Sequence, residues 1–329
     1  MYLTITRITI ALAFVVVVLG AYTRLSDAGL GCPDWPGCYG NISVPESQDS
    51  IDRANRAFAS RPLEQSKAWK EMIHRYAAGT LGLLIFSLAF MSWKNRSRRG
   101  SQRLLPLVLA VLVIVQAMLG MWTVTLLLKP IVVMGHLLGG MTILLLLVWS
   151  NMKQTYRVSH HDIRKIKPLY AWVLLCLMVV LAQISLGGWT SANYAALICP
   201  DFPRCQGQWW PPVDFREGFV PWRGLGTNYE YGVLGPAART AIHISHRIGA
   251  VFTLLFVGAV SVKAMLGSDR KIKRAGTVVL LVLITQFCLG ISNILLTLPI
   301  GVAVAHNAVA AILLASTGVL LFHSKYSVS

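Results

Sequence analysis

The sequence predicts an all-α integral membrane protein whose eight transmembrane helices form two parallel-repeat four-helix bundles. Three observations lead there. The 329-residue chain is 55% hydrophobic, with its apolar residues gathered into eight long stretches. A two-cysteine loop occurs twice, as TRLSDAGLGCPDWPGCYG from Thr23 to Gly40 and as TSANYAALICPDFPRCQG from Thr190 to Gly207. Histidines recur at matching places on either side of a basic linker.

A helix needs about 20 mainly apolar residues to cross a bilayer. Stretches that qualify lie near 5–24, 72–93, 104–127, 131–150, 169–190, 240–265, 275–297 and 300–322. The first has Arg7 ahead of an apolar run, as a signal peptide would. No A-x-A site follows it, however, and the fifth stretch ends at the same distance before the second cysteine loop. Stretch one is therefore expected to be a retained span.

Lys and Arg outnumber Asp and Glu by 30 to 13, a net charge of +17. Such a surplus suggests nucleic acid until its distribution is read. The loop after the second span, KNRSRRGSQR, has five basic residues and no acid. The loop after the fourth carries Lys153, Arg157, Arg164, Lys165 and Lys167 against Asp162, and the loop after the sixth reads KAMLGSDRKIKR. Residues 190–239 are close to balanced. Basic excess in short loops marks the cytoplasmic side. Both termini are expected inside and both cysteine loops outside, in the inner (cytoplasmic) membrane of a bacterium; the partner implied is the lipid bilayer, not nucleic acid.

Thiols in an oxidising compartment tend to pair, so Cys32–Cys38 and Cys199–Cys205 disulfides are expected. The spacing is wider than the C-x2-C to C-x4-C usual in zinc sites, and no C-x-x-C-H for haem attachment occurs. Cys176 and Cys288 fall mid-span and read as core residues.

The repeat runs well beyond the loops. EMIHRYAAG, around His74-Arg75, matches HISHRIGAV, around His246-Arg247. QAMLG (Gln116 to Gly120) matches QFCLG (Gln286 to Gly290), and GHLLGGMTILLL matches AHNAVAAILLAS, pairing His136 with His306. Four spans per unit make both halves enter from the same side, as parallel repeats about an axis along the membrane normal. The division falls into residues 1–155 and 156–329, with the linker near 151–168.

Four of the eight histidines thus occupy equivalent places. Ionisable groups within a span are costly and point to function, and two duplicated pairs at similar depth suit bis-histidine ligation of haem iron. Gly79, Gly82, Gly135, Gly139 and Gly140 read equally as room for a flat macrocycle or as helix–helix packing. Arg75 and Arg247 stand where haem propionates would emerge, or where a basic side chain would snorkel to headgroups. His160, His161 and His323 lie toward the cytoplasmic surface and carry no assigned role. Glu71 shares a helical face with His74, and its counterpart is His243. That carboxylate is either a proton-exchanging group near a haem edge or an interfacial acid paired with Lys70 or Arg75. The difference between the halves suggests one active and one supporting half.

GAYTRLSDAGLGCPDWPGCYG, EMIHR, GH, HISHR and AHN, in this order, resemble the haem A synthase family of membrane oxidoreductases over nearly the whole chain. The resemblance implies oxidation of a ring methyl of haem O to a formyl group, through an alcohol, in successive two-electron steps. It implies haem O between His74 and His136, haem B as cofactor on His246 and His306, and Glu71 as the catalytic carboxylate. A haem O synthase and terminal oxidase assembly factors are the implied partners. Some relatives lack one or both cysteine pairs, so a redox role for the thiols does not transfer, and the loops read as outer lids. A di-haem b-type cytochrome carrying electrons from a quinol would explain the histidines but leaves Glu71 and the lids idle. A transporter would share the parallel repeats, but no span is obviously broken at the midplane.

Overall fold

The structure, a computed structural model, describes residues 1–94, 104–156 and 168–326. The described residues form ten helices: α1 (Tyr2–Leu25), α2 (Gln48–Ala57), α3 (Gln65–Lys94), α4 (Leu104–Thr125), α5 (Pro130–Thr155), α6 (Leu169–Ala192), α7 (Phe215–Gly218), α8 (Pro236–Leu266), α9 (Arg270–Leu295) and α10 (Ile300–Lys325). Eight of them, all except α2 and α7, are long and apolar enough to span a membrane, and they coincide with the eight expected stretches. Among the described residues no strand forms; two isolated bridges, Cys38 to Asn41 and Cys205 to Gln208, sit at equivalent places in the two cysteine loops. The chain is an all-α, multi-pass membrane protein.

Three helices, α3, α8 and α9, begin earlier than hydropathy suggests. α3 starts at Gln65 because a polar first turn continues the helix beyond its apolar stretch, and α8 starts at Pro236, which occupies the first helical position, where a missing N–H costs nothing. His74 and His246 therefore lie about three turns into their helices. α9 starts at Arg270 for a local reason: Asp269 caps it, accepting from the backbone N–H groups of Lys271 and Ile272.

α1 packs on α3 and α5, and α4 on α3 and α5; in the same way α6 packs on α8 and α10, and α9 on α8 and α10. α5 and α10 meet each other, with α1 against α10 and α5 against α6 alongside. A continuous core, with Met141, Leu147, Val173, Val279, Ala311 and Leu314 fully enclosed, runs through all of this. Large apolar side chains point outward on the other faces, among them Leu83, Phe90, Leu255 and Leu281, as lipid contact requires.

The connections repeat as well. α1 and α6 each end in a left-handed residue, Asp27 (φ 49°) and Tyr194 (φ 52°), with Ala28 N–H returning to the Thr23 carbonyl and Ala195 N–H to that of Thr190. The α4–α5 and α9–α10 turns pass through two left-handed residues each, Leu127–Leu128 and Thr297–Leu298. Most of the basic residues that set the expected sidedness, together with His160 and His161, lie outside the described residues. His323 is buried at the end of α10, edge-on to the Tyr156 and Phe322 rings.

Candidate functional site

Each of the four repeated histidines faces a glycine on the preceding spanning helix. A Cβ on Gly20 (α1) would come within 2.9 Å of the His74 ring, one on Gly120 (α4) within 3.3 Å of His136, one on Gly187 (α6) within 3.1 Å of His246, and one on Gly290 (α9) within 3.2 Å of His306. Only a missing side chain admits the imidazole so close to the backbone. A glutamine stands one turn before three of these glycines. The Gln116 amide donates to the His136 carbonyl at 3.0 Å and the Gln183 amide to the His246 carbonyl at 3.0 Å, with its nitrogen also 3.1 Å from His246 Nδ1. The Gln286 amide nitrogen lies 3.2 Å from His306 Nε2. The fourth position, ahead of Gly20, is Val16. This Q-x-x-x-G pattern was readable as three copies at helical spacing; its meaning was not, because the facing histidine is far away in sequence.

His74 and His136 come together, with ring centroids 6.4 Å apart and planes at 86°. A metal–imidazole bond is about 2 Å and the ring centre lies roughly 1 Å behind its nitrogen, so two trans imidazoles on one metal stand on the order of 6 Å apart. The pair matches that separation, and Nδ1 of each ring is buried without a hydrogen bond. His246 on α8 and His306 on α10 occupy the equivalent places of the second half. There His306 Nδ1 and, nearer the loop, Arg247 Nε are buried and unpartnered. Buried polar atoms normally find partners, and this donor set suits a haem iron with an anionic edge. Among the described residues no group of three or more His, Cys, Asp or Glu converges as a protein-only metal site would require. Of the glycines expected to leave room, Gly139 accommodates Gln116, whose amide would lie 1.9 Å from an added Cβ.

Over each histidine helix sits a cysteine lid. The Sγ atoms of Cys32 and Cys38, and those of Cys199 and Cys205, are at bonding distance. One aspartate organises each loop: Asp34 accepts from the N–H groups of Tyr39 (2.6 Å) and Gly40 (2.7 Å), and Asp201 from those of Gln206 (2.6 Å) and Gly207 (2.9 Å). Those bonds, that from Gly207 foremost, hold the Asp201 carboxyl below the ordinary value of 3.8. The repeated Pro-Asp is thus a loop-closing device. Arg75 donates to the carbonyls of Asp34 (3.0 Å), Pro36 (3.2 Å) and Gly37, and Arg247 to those of Arg204 (2.8 Å), Asp201 (2.8 Å) and Cys199 (3.1 Å). Both guanidinium groups clasp a lid onto its helix.

Glu71 is 4% exposed. One oxygen accepts from Cys32 N–H at 2.9 Å and the other pairs with Arg75. Lys70, the alternative partner, turns instead to the Tyr22 ring. In the second half His243 takes this place and donates from Nδ1 to the Ala195 carbonyl at 2.8 Å. The first half alone therefore has a buried carboxylate between its lid and its histidine pair.

A profile of the COX15-CtaA family, described as cytochrome oxidase assembly proteins, matches residues 4–317. The chain belongs to this family. A protein named heme A synthase from Shewanella oneidensis is 43% identical over 98% of this chain and 97% of its own length. Proteins of the same name from Caulobacter vibrioides and Bacillus licheniformis are 27% and 24% identical, covering 94% and 91% of this chain and 91% and 87% of their own lengths. The cysteine lids, the four histidines and Glu71 all lie within the family match.

Proposed function

We propose that this chain is a haem A synthase, oxidising the ring methyl of haem O to a formyl group through an alcohol. The observation that carries the reading is the site of the first half, where two histidine rings 6.4 Å apart accompany a buried carboxylate whose place in the second half is taken by His243. In this assignment His74 and His136 hold the substrate haem O, and His246 and His306 hold haem B. Haem B supplies one-electron redox chemistry when bound. Arg247, with its unpartnered Nε, would hold a haem B propionate, and Arg75 is its counterpart in the first half.

The first two-electron step converts the methyl and one water to the alcohol, releasing two protons and two electrons. The second converts the alcohol and another water to a hydrated aldehyde, which loses water to leave the formyl group. Each step gives up two electrons, and a haem B held by His246 and His306 would supply one-electron carrier chemistry between this site and an acceptor. A ring methyl is remote from the iron, which favours electron withdrawal from the macrocycle followed by capture of water. Glu71 is the group that accepts protons here: Cys32 N–H and Arg75 fix its two oxygens in place, and the closed lid excludes bulk water.

The same reading makes the eight spans two parallel repeats, residues 1–155 and 156–329, with lids on the outer face and both termini in the cytoplasm. Contacts between equivalent residues support it. Arg24 donates to the carbonyl of Ser191 (2.7 Å), its own counterpart, and Tyr194 OH donates to its counterpart Asp27 (3.3 Å). Residues meeting their own equivalents are what a two-fold axis produces. A haem O synthase is the proposed donor of substrate, with terminal oxidase assembly factors downstream.

The test is Glu71→Gln. The variant should keep its haems and accumulate haem O or the alcohol; normal haem A yield would contradict the assignment.

A further inference from the structure

One segment has no part in that chemistry as described. Residues 219–234 leave the second half's outer loop and cross to the first half. Lys129, ahead of α5, is 2% exposed; its ammonium donates to the Gly224 carbonyl and lies 3.2 Å from the centre of the Trp222 ring. Tyr229 N–H donates to the Leu127 carbonyl at 3.0 Å. Glu230 pairs with Arg61 at 3.2 Å, and Arg61 also donates to the Leu30 carbonyl at 2.9 Å. A turn closed by Gly232 N–H on the Tyr229 carbonyl then returns the chain to the end of α6. There a Cβ on Gly232 would stand 3.2 Å from the Tyr194 side chain. The corresponding stretch of the first half forms α2 and folds back on its own lid.

These anchors hold Tyr229 at 3% exposure among Leu30, Val124, Leu128 and Val133. Its hydroxyl is buried and makes no hydrogen bond. An unpaired hydroxyl in apolar surroundings is costly and needs an explanation. Its neighbours supply one. Val124 lies one turn from Gly120 on α4, and Val133 one turn from His136 on α5. The phenol therefore caps the loop end of the helix face that seats the His136 ring.

Resting on the reading of the first half as the substrate site, we propose that Tyr229 is a substrate-positioning residue lent by the second half. Its hydroxyl donates to an oxygen on the rim of the haem O held by His74 and His136, either a propionate carboxylate or another oxygen on the macrocycle's edge. The strap would thereby make the substrate site depend on both halves of the chain.

Tyr229→Phe keeps the packing and removes only the oxygen. Purified, haem B-loaded wild type and variant are titrated with haem O in mild detergent and followed by absorbance. The dissociation constant should rise about ten-fold in the variant, the worth of one hydrogen bond to a charged or polar acceptor, with haem B content and thermal midpoint unchanged. Repeating the titration with the propionate diester of haem O locates the acceptor. A gap that vanishes identifies a carboxylate, and one that persists identifies another rim oxygen. Equal affinity of wild type and variant for haem O overturns the proposal, as does a loss of affinity that comes with loss of haem B. Failure of the underlying reading looks different: wild type would bind no haem O, or His74→Ala would bind it as well as wild type does.

Discussion

The two halves share a scaffold down to the glycine under each imidazole, and they part at three places. Where the second half has Gln183 against His246, the first has Val16 ahead of His74. Where the second has His243 bonded to a backbone carbonyl, the first has Glu71 between Cys32 and Arg75. The strap over the α4–α5 turn belongs to the second half and serves the first. All three differences bear on the first histidine pair. A cofactor site gains from rigid ligands and needs no proton acceptor; a substrate site must release its haem and move protons. On the proposed assignment, these differences would divide the labour between a substrate half and a cofactor half.

The largest effect should come from the Glu71/His243 pair. Glu71→Gln should lower conversion by about 10²–10⁴-fold, the usual worth of a positioned acid or base, whereas His243→Gln should leave turnover per folded protein within a few-fold. Quantifying haem A, the alcohol and haem O in extracts of each variant measures this, and similar losses in both would erase the functional difference between the halves.

The lids come next. Each disulfide closes a seven-residue loop, so removing either should cost roughly 2 kcal/mol in chain entropy. Thermal midpoints should fall alike for Cys32→Ser with Cys38→Ser and for Cys199→Ser with Cys205→Ser. Only the first double variant should also slow turnover per folded protein, because Cys32 N–H orients Glu71. Equal turnover in the two would mean the lid does not act through that bond.

Val16→Gln would give His74 the amide its three counterparts have. Groups behind a ligand commonly shift metal affinity 10–100-fold; here the substrate haem should be retained on the order of 10-fold longer in exchange measurements. Faster release would show that the glutamines do not steady the rings.

The smallest effect concerns Asp201. Its depressed folded value means that the unfolded chain binds the proton more readily, so its stabilisation is complete above the ordinary value of 3.8 and fades as pH falls through the folded one. Wild type should therefore melt above Asp201→Asn at neutral pH, and the two should converge once the pH has fallen below the folded value. A difference unchanged by acid would show that the carboxylate's charge is not what closes the loop.

Much of this was legible in the sequence because it is written in local patterns. Apolar length announced the spans, gapless loop alignment announced the lids, and duplicated His-Arg and Gln-x-x-x-Gly spacings marked the helix faces. Legibility failed where partners are distant. Gly20 meets His74 only through packing, and Tyr229 reaches Leu127 through a backbone hydrogen bond across 102 residues of chain. Arg75 and Arg247 pointed to an anionic partner, yet most of their hydrogen bonds go to lid carbonyls, because a loop closed by proline, glycine and a disulfide presents its oxygens inward. The early start of α3 escaped hydropathy because its first turn is polar.

The division between the halves is tested most directly by counting haems. Wild type, His74→Ala and His246→Ala are purified in parallel, and their haems are extracted and identified by chromatography and mass. Wild type should yield haem B together with haem O, its alcohol or haem A. His74→Ala should lose only the haem O-derived species, and His246→Ala only haem B. Wild type carrying haem B alone at nearly two per chain, or either substitution depleting both kinds equally, would contradict the account and favour a di-haem electron-transfer cytochrome.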